Sequence, residues 1–320
     1  MPIVPPSRQH RKPTLKRALP RALKLAAVAL AVIMLAAGST SAQTGDKVSV
    51  RTRPKIGEYQ PAAAGGYIAW EQNTKARPDH FNVYAKPVGG SKLKLNKPGT
   101  QGAMGGIQGT SAVYQQFWGR ASNVKFFNLT TKKRTSPKIY INTKLWEYWP
   151  SMSGSWVLFG RRTLNGNKRK VILYNRSTQG HRILDRTKSP EAFIAPGQVN
   201  GNFVVWYRCK AERKCNVYRY RIDLKVTKKI PNPKRKDQHS PSVTADGIVY
   251  FAKGTKICGT SAKLMRYVVG NGSTKIMAFK DGFDVGDTYV NADESGAAEV
   301  LFEQNRCRTK AGSDIFKVMD

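Results

Sequence analysis

Six segments of the chain share one order of apolar and polar positions. In each segment a glycine precedes a short apolar run that ends in an aromatic residue, as in Gly66–Trp70 and Gly201–Trp206. The closing aromatic residues are Trp70, Tyr114, Phe159, Trp206, Phe251 and Phe302, so consecutive ones are 44, 45, 47, 45 and 51 residues apart. This spacing is typical of a repeat of four short strands with their turns.

Three further elements recur around each apolar run. A strand with alternating bulky residues follows it, as in Val171–Tyr174, and a shorter polar strand comes next, as in Lys92–Leu95. A segment of mostly small residues precedes the glycine, as in Pro61–Ala64 and Pro241–Thr244. Small side chains suit innermost strands that converge on a narrow channel, whereas a charged outermost strand discourages pairing at a sheet edge.

The repeats predict an all-β fold, a six-bladed β-propeller. The last repeat ends after its third strand, and the alternating segment Lys47–Arg53 would pair with it and close the ring. A β-sandwich, or two of them, is the alternative, and the regular spacing favours the propeller. The predicted blades cover approximately residues 57–98, 99–145, 146–190, 191–236, 237–283, and 284–320 together with 47–53.

The N-terminus reads as an export signal. Residues 1–24 are basic, Leu25–Ala37 is an uninterrupted apolar run, and small residues follow up to Ala42. We therefore predict a signal peptide over 1–42 and a propeller over 43–320, located outside the cytoplasm, secreted or in the cell envelope. An uncleaved anchor is the alternative, although the run is shorter than the roughly 20 residues of a spanning helix. Without the signal we expect no transmembrane span.

The net charge of +35 indicates an anionic partner. An anionic cell-wall polymer fits an exported protein, and nucleic acid is the weaker alternative. The basic clusters are scattered over predicted loops and outer strands, so a solvated surface is favoured over a polyanion-binding rim. These clusters are Lys132–Arg134, Arg161–Arg162, Lys168–Lys170, Lys228–Lys229 and Lys234–Lys236.

Four cysteines in an exported chain allow two disulfides with three connectivities. Cys209 and Cys215 bracket the tip of a predicted hairpin, and a bridge between them is sterically reasonable. Cys258 and Cys307 lie in the corresponding loops of the next two repeats, where they could also pair. No pair has C-x-x-C spacing, so we predict structural disulfides, with no metal and no cofactor.

Two stretches carry a resemblance to a known family. Ser240–Phe251, with its Ser-Pro and Asp-Gly steps, and Ser313–Asp320, with Asp-Ile-Phe, resemble the repeat of TolB-type six-bladed propellers. The resemblance implies a periplasmic or secreted propeller that binds peptides, proteins or glycans at the mouth of its channel. A few relatives of this type are enzymes.

Candidate ligand-binding residues precede the small-residue segments, where the channel mouth is expected. His239 lies two positions before Pro241, and equivalent residues recur in other repeats. Together they would form an aromatic and polar rim, with ordinary packing at the blade entrances as the alternative. The predicted mouth residues are Tyr59, Gln60, Tyr148, Trp149, His239 and Tyr289.

Catalytic chemistry has little support in the sequence. No nucleophile elbow, phosphate loop or His-Glu-x-x-His motif is present, and we assign no catalytic residue. Asp281, Asp284 and Asp287 recur every third residue; a solvated turn is favoured there over a calcium site. We predict binding rather than catalysis. The alternative is a glycan hydrolase or lyase, which needs acids converging at the mouth.

Overall fold

The computed structural model describes residues 48–51, 56–74, 77–119, 121–137, 140–211, 214–233, 236–254, 262–279, 283–291, 298–306 and 313–320. The predicted signal peptide, Asp281, Cys258 and Cys307 lie outside these residues. All regular structure in the described ranges is β, as predicted. Within them, no helix is long and apolar enough to cross a membrane.

The strands are short and follow one another closely. The first twelve are β1 (Val48–Arg51), β2 (Glu58–Ala64), β3 (Tyr67–Thr74), β4 (Arg77–Pro87), β5 (Leu93–Lys94), β6 (Gln101–Gln108), β7 (Ser111–Trp118), β8 (Ala121–Asn128), β9 (Arg134–Thr135), β10 (Trp146–Ser153), β11 (Trp156–Arg162) and β12 (Arg169–Asn175). The others are β13 (His181–Arg186), β14 (Phe193–Asn200), β15 (Phe203–Cys209), β16 (Cys215–Arg221), β17 (Val226–Lys229), β18 (Asp237–Val243), β19 (Val249–Gly254), β20 (Lys263–Val268), β21 (Gly272–Ala278), β22 (Phe283–Asn291), β23 (Glu299–Arg306) and β24 (Ser313–Met319).

Hydrogen bonding groups the described strands into five sheets. Four sheets have four strands each, in the orders β2-β3-β4-β5, β14-β15-β16-β17, β18-β19-β20-β21 and β1-β24-β23-β22. The fifth joins β6–β9 to β10–β13 through one parallel contact, between Ser122 of β8 and Trp146 of β10. The prediction of six separate sheets therefore needs correction. The Ser122 hydroxyl donates to the Glu147 carbonyl oxygen and helps to hold the second and third repeats together.

The first described strand lies at the edge of the last sheet. β1 pairs antiparallel with β24, with Ser49 opposite Phe316. The backbone groups of β24 are thereby paired on both sides, because β24 also pairs along its length with β23. An edge that would otherwise be open to another chain is covered over this stretch.

The recurrent aromatic residues that end the apolar runs fill the spaces between sheets. All six are at most 1% exposed, and each lies on the second strand of its repeat. Burial of one such side chain stabilises the fold by about 2 to 3 kcal/mol. The spacing seen in the sequence therefore records one large core residue per repeat.

Each innermost strand breaks its register at the same place. The breaks are bulges, which fall between Tyr59 and Ala62, Met104 and Gly106, Tyr148 and Ser151, Pro196 and Val199, His239 and Ser242, and Val285 and Thr288. Three of the bulges hold a non-glycine residue at positive φ directly before a proline. The other three bulges contain a glycine instead. The residues at positive φ are Gln60 (47°), Trp149 (45°) and Ser240 (49°).

The bulges bring neighbouring inner strands into very close contact. A Cβ atom added to Gly105 would lie 2.1 Å from the Pro150 carbonyl oxygen, and one added to Gly197 would lie 2.2 Å from that of Pro241. Residues of β2, β6, β10, β14, β18 and β22 together line one narrow cavity of about 50 Å³. The convergence of inner strands on a common space defines the fold as a propeller.

Replacing Gly197 by alanine should destabilise the protein, because its Cβ atom has no room beside Pro241. Gly180 is the matched control, since a Cβ atom there meets only the Thr178 hydroxyl, at 3.4 Å. We expect Gly197→Ala to lower the free energy of unfolding by about 2 kcal/mol or more, and Gly180→Ala by far less. Urea denaturation followed by tryptophan fluorescence measures both, and equal stability of the two variants would contradict the close approach.

Candidate functional site

A cavity of about 740 Å³ opens at the end of the inner strands, beside β14, β15, β18, β22 and β23. Its volume lies in the range of small-molecule and short-peptide sites. We call it the mouth cavity. Its polar and aromatic lining consists of Arg169, Glu191, Phe193, Tyr207, Asp237, His239, Ser240, Asp284, Asp287, Glu303 and Asn305.

A disulfide stiffens one rim of the mouth cavity. Cys209 and Cys215 are bonded to each other and lie opposite one another on β15 and β16. The backbone N–H groups of Lys214 and Cys215 donate to the Asp237 carboxylate, at 2.6 and 3.0 Å. The predicted Cys209–Cys215 bridge is thus confirmed, and it fixes the hairpin tip against the next repeat.

Three carboxyl groups meet beneath the mouth cavity, although the protein as a whole is strongly basic. Glu71 and Glu303 are 7% and 6% exposed, and Asp287 lies beside Glu303 on the adjoining strand. The Gln60 N–H group faces Glu303 Oε2 at 3.4 Å. Glu71 Oε2 is buried without a hydrogen-bond partner in the described part of the chain. We call Glu71, Asp287 and Glu303 the acid cluster.

Burial keeps the acid cluster partly protonated. Desolvation and the charge of Asp287 raise the pKa of Glu303 to about 8. Desolvation, followed by the charge of Glu303, raises the pKa of Glu71 well above its usual range. Desolvation also raises the pKa of Asp287, against the opposing effects of Ser240 and His239. The three groups cannot all be ionised together without a cation to balance them.

A row of aromatic side chains extends along the mouth. Trp149, Phe193, Tyr207 and His239 follow one another at centroid distances of 6.1, 5.6 and 6.3 Å. Burial lowers the pKa of His239, although Asp284 and Asp287 act in the opposite direction. We call these four residues the aromatic wall. Its Tyr207 and His239 lie near Asp287 of the acid cluster, whose charge acts on the pKa of both side chains.

Five of the six predicted mouth residues lie at the cavities or beside the acid cluster. His239 lines the mouth cavity, and Gln60 and Trp149 line the narrow cavity below it. Tyr59 packs edge-on against Phe81 at 5.7 Å, and burial, with the charges of Glu303 and Glu71, raises its pKa.

The other two tyrosines tie inner strands together. The Tyr148 hydroxyl donates to the Ile194 carbonyl oxygen at 2.8 Å, although its ring reaches a smaller cavity nearby. The Tyr289 hydroxyl donates to the Ile107 carbonyl oxygen at 2.7 Å and accepts from the Ile107 N–H group at 3.2 Å. Tyr289 is buried among core residues and lines none of the described cavities, so ordinary packing accounts for it.

Several site residues escaped the sequence prediction. Asp284 and Asp287 belong to strand β22 and are not a solvated turn; Asp284 is 2% exposed. Among the described residues, no group of three histidines, cysteines or acids is arranged to hold a metal ion. Glu71 and Glu303 each directly follow the closing aromatic residue of a repeat. Tyr207 holds the same position in the fourth repeat. The position directly after the closing aromatic residue is therefore the signal in the sequence that could have identified these site residues.

Comparison with known proteins identifies the class. No family model and no curated protein matches the chain. TolB from Acinetobacter baumannii superposes with a TM-score of 0.54 at 13% identity, over 80% of this chain and 64% of that one. A putative TolB from Agrobacterium tumefaciens gives 0.53 at 10% identity, over 82% and 90%. An oligogalacturonate lyase in complex with manganese gives 0.50 at 7% identity, over 86% and 97%.

The fold is therefore that of a β-propeller, similar to the fold of these two TolB proteins. At these identities the likeness is one of fold. The chain spans less than two thirds of the length of the A. baumannii TolB.

The buried acid cluster should make stability depend on pH. A carboxyl group whose pKa is raised in the folded protein contributes most to stability below its pKa in the unfolded chain, near 4.3. For Glu303 this stabilisation is lost as the pH rises through the folded-state pKa of about 8. Between pH 5 and pH 8.5 we expect the unmodified protein to lose at least about 1 kcal/mol more stability than Glu303→Gln. The exposed Glu191, changed to Gln, is the control. Urea unfolding at the two pH values decides, and equal pH dependence in all three proteins would refute a protonated Glu303.

Proposed function

We propose that this protein is a non-enzymatic β-propeller of the cell envelope or the medium that binds a peptide or a protein segment in its mouth cavity. The observation that carries the proposal is that members of the acid cluster and of the aromatic wall line one open cavity. A rigid disulfide-linked rim supports a preformed binding site.

The chemistry of the acid cluster favours a ligand with a positive charge. A lysine or arginine side chain, or an amine, entering beside Asp287 and Glu303 would let these groups ionise and would replace lost solvation. The aromatic wall would pack against the aliphatic stem of such a side chain and attract its charge. A basic anchor in an otherwise acidic partner fits best, because the net charge of +35 attracts an acidic surface.

The outer surface supports a second, less specific role. Exposed basic residues such as Lys132, Lys228 and Lys229 could retain the protein at an anionic cell-wall polymer. Nucleic acid remains the weaker alternative. The disulfide at Cys209 and Cys215 and the predicted signal over 1–42 support an oxidising, extracytoplasmic location.

We further propose six blades closed by the N-terminal strand. The eight-stranded sheet consists of two four-stranded halves that share one parallel residue pair, which fits two neighbouring blades in contact. The pairing of β1 with β24 supports closure by the segment 47–53. The blade limits predicted from the sequence, from 57–98 through to 284–320, belong to this proposal.

One observation favours the glycan hydrolase or lyase as the second candidate. Glu303 lines the mouth cavity and holds its proton near neutral pH, as a general acid must, and Asp287 lies beside it. The absence of acids at the mouth would have argued against an enzyme, and the structure places acids there. Release of shorter sugars from cell-wall glycans, abolished by Glu303→Gln, would establish this candidate in place of the first.

A capped peptide, acetyl-Ala-Lys-Ala-amide, should bind more tightly than acetyl-Ala-Glu-Ala-amide, since only lysine complements the acid cluster. We expect Asp287→Asn to weaken binding of the lysine peptide by about tenfold. Asp223→Asn is the matched control, because Asp223 is exposed and pairs only with Arg221. NMR titration measures the affinities. Equal affinity for both peptides, or no change in Asp287→Asn, would argue against a cationic anchor.

A chain that begins at Gly57 should be less stable than one that begins at Lys47. The shorter chain lacks β1, so the hydrogen bonds of β24 on that side are lost and its edge is exposed. We expect the melting temperature to fall by about 5 °C or more, with greater aggregation. Calorimetry on the two chains makes the comparison, and identical melting curves would rule out a closing role for this strand.

A further inference from the structure

A side cavity of about 210 Å³ adjoins the mouth cavity and shares Arg169 and Phe193 with it. Its lining is aromatic apart from one glutamine and two arginines. The lining residues are Gln115, Phe117, Trp146, Tyr148, Trp149, Arg162, Arg169 and Phe193. Because Arg169 and Phe193 line both cavities, the two cavities are neighbours, and a ligand that reaches past these two side chains would occupy both.

The two arginines lie side by side with aromatic support. Arg162 on β11 is the direct cross-strand partner of Arg169 on β12. The Arg162 guanidinium lies 4.6 Å from the Trp146 ring centroid, and that of Arg169 lies 4.5 Å from Phe193. Such stacking holds each planar fork in a fixed orientation. We call Arg162 and Arg169 the arginine pair.

The arginine pair has no acidic partner among the residues that the structure describes. Within the described part of the chain, neither guanidinium forms an ion pair, whereas the adjacent Arg161 bonds to Glu147 at 2.8 Å. Burial, together with the charge of Arg169, lowers the pKa of Arg162. Like charges directly opposite one another destabilise an antiparallel pair, so their retention at a cavity calls for an anion.

We propose that the arginine pair is a subsite for a carboxylate of a bound peptide, with the group beside the carboxylate lying on Trp146 and Trp149. The inference rests on the proposed function, since it assigns the second end of the same ligand. A guanidinium fork bonds a carboxylate through two parallel N–H groups. The ligand would thus be oriented, with its cation at the acid cluster and its carboxylate at the arginine pair.

Three probes of one size and different charge test the subsite: benzoate, benzamide and benzylamine. In NMR titrations that follow the tryptophan indole signals, benzoate should bind about tenfold more tightly than neutral benzamide. Arg162→Gln and Arg169→Gln should each weaken benzoate at least about fivefold. Arg176→Gln is the matched control, because Arg176 is exposed and also stacks at 4.6 Å, on Phe126, outside both cavities. Melting temperatures confirm that the variants fold.

The other outcomes separate this inference from the proposed function. Benzylamine should respond to Asp287→Asn and not to Arg162→Gln, so its failure to bind would count against the cationic anchor alone. Equal binding of benzoate and benzamide, or an equal effect of Arg176→Gln, would overturn the carboxylate subsite. N-acetylalanine should displace benzoate at lower concentration than glucuronate does, and the reverse order would overturn the assignment to a peptide carboxylate.

Discussion

The architecture depends on how closely the inner strands approach one another. At Gly105 and Gly197 the backbone of one repeat touches a proline carbonyl group of the next, at distances that no Cβ atom could occupy. Bulges at matching positions of all six inner strands let the chains converge without a collision of side chains. The cavity left between them, about 50 Å³, is far smaller than the mouth cavity of about 740 Å³.

The same bulges place chemistry at the mouth. Each bulge changes the direction of an inner strand. Next to the bulge, the inner strand contacts the residue that follows the closing aromatic residue of the second strand. In the first and last described sheets that residue is a glutamate, Glu71 or Glu303, and in the sheet of β14 it is Tyr207. The same position of the repeat therefore supplies an acid in two sheets and an aromatic residue in a third, and Glu303 and Tyr207 both line the mouth cavity.

The sequence predicts most of the fold because the fold is repetitive. Each repeat has one large aromatic residue and small inner residues, and the first strand alternates. These local patterns recur at nearly constant spacing and therefore predict the strands. The mouth depends instead on which repeats become neighbours across the channel. Asp284 and Asp287 occur among glycines and look like a turn, yet Gly286 between them belongs to a bulge within β22. Arg162 and Arg169 look like parts of solvated basic clusters until the β11–β12 register sets them opposite each other over Trp146 and Phe193.

The placement of charge lowers the stability of the unliganded protein, and we interpret this loss of stability as a consequence of the requirements of ligand binding at the mouth. Buried carboxyl groups with raised pKa values and an arginine pair without a counter-ion both lower the stability of the unliganded protein. The two kinds of charge do not neutralise each other, since Arg169 lines the mouth cavity from β12 while Asp287 and Glu303 project from β22 and β23. A core built for stability alone would pair them or replace both by apolar residues. Their separation between the mouth cavity and the neighbouring side cavity instead fits the proposed ligand, which carries charges of both signs.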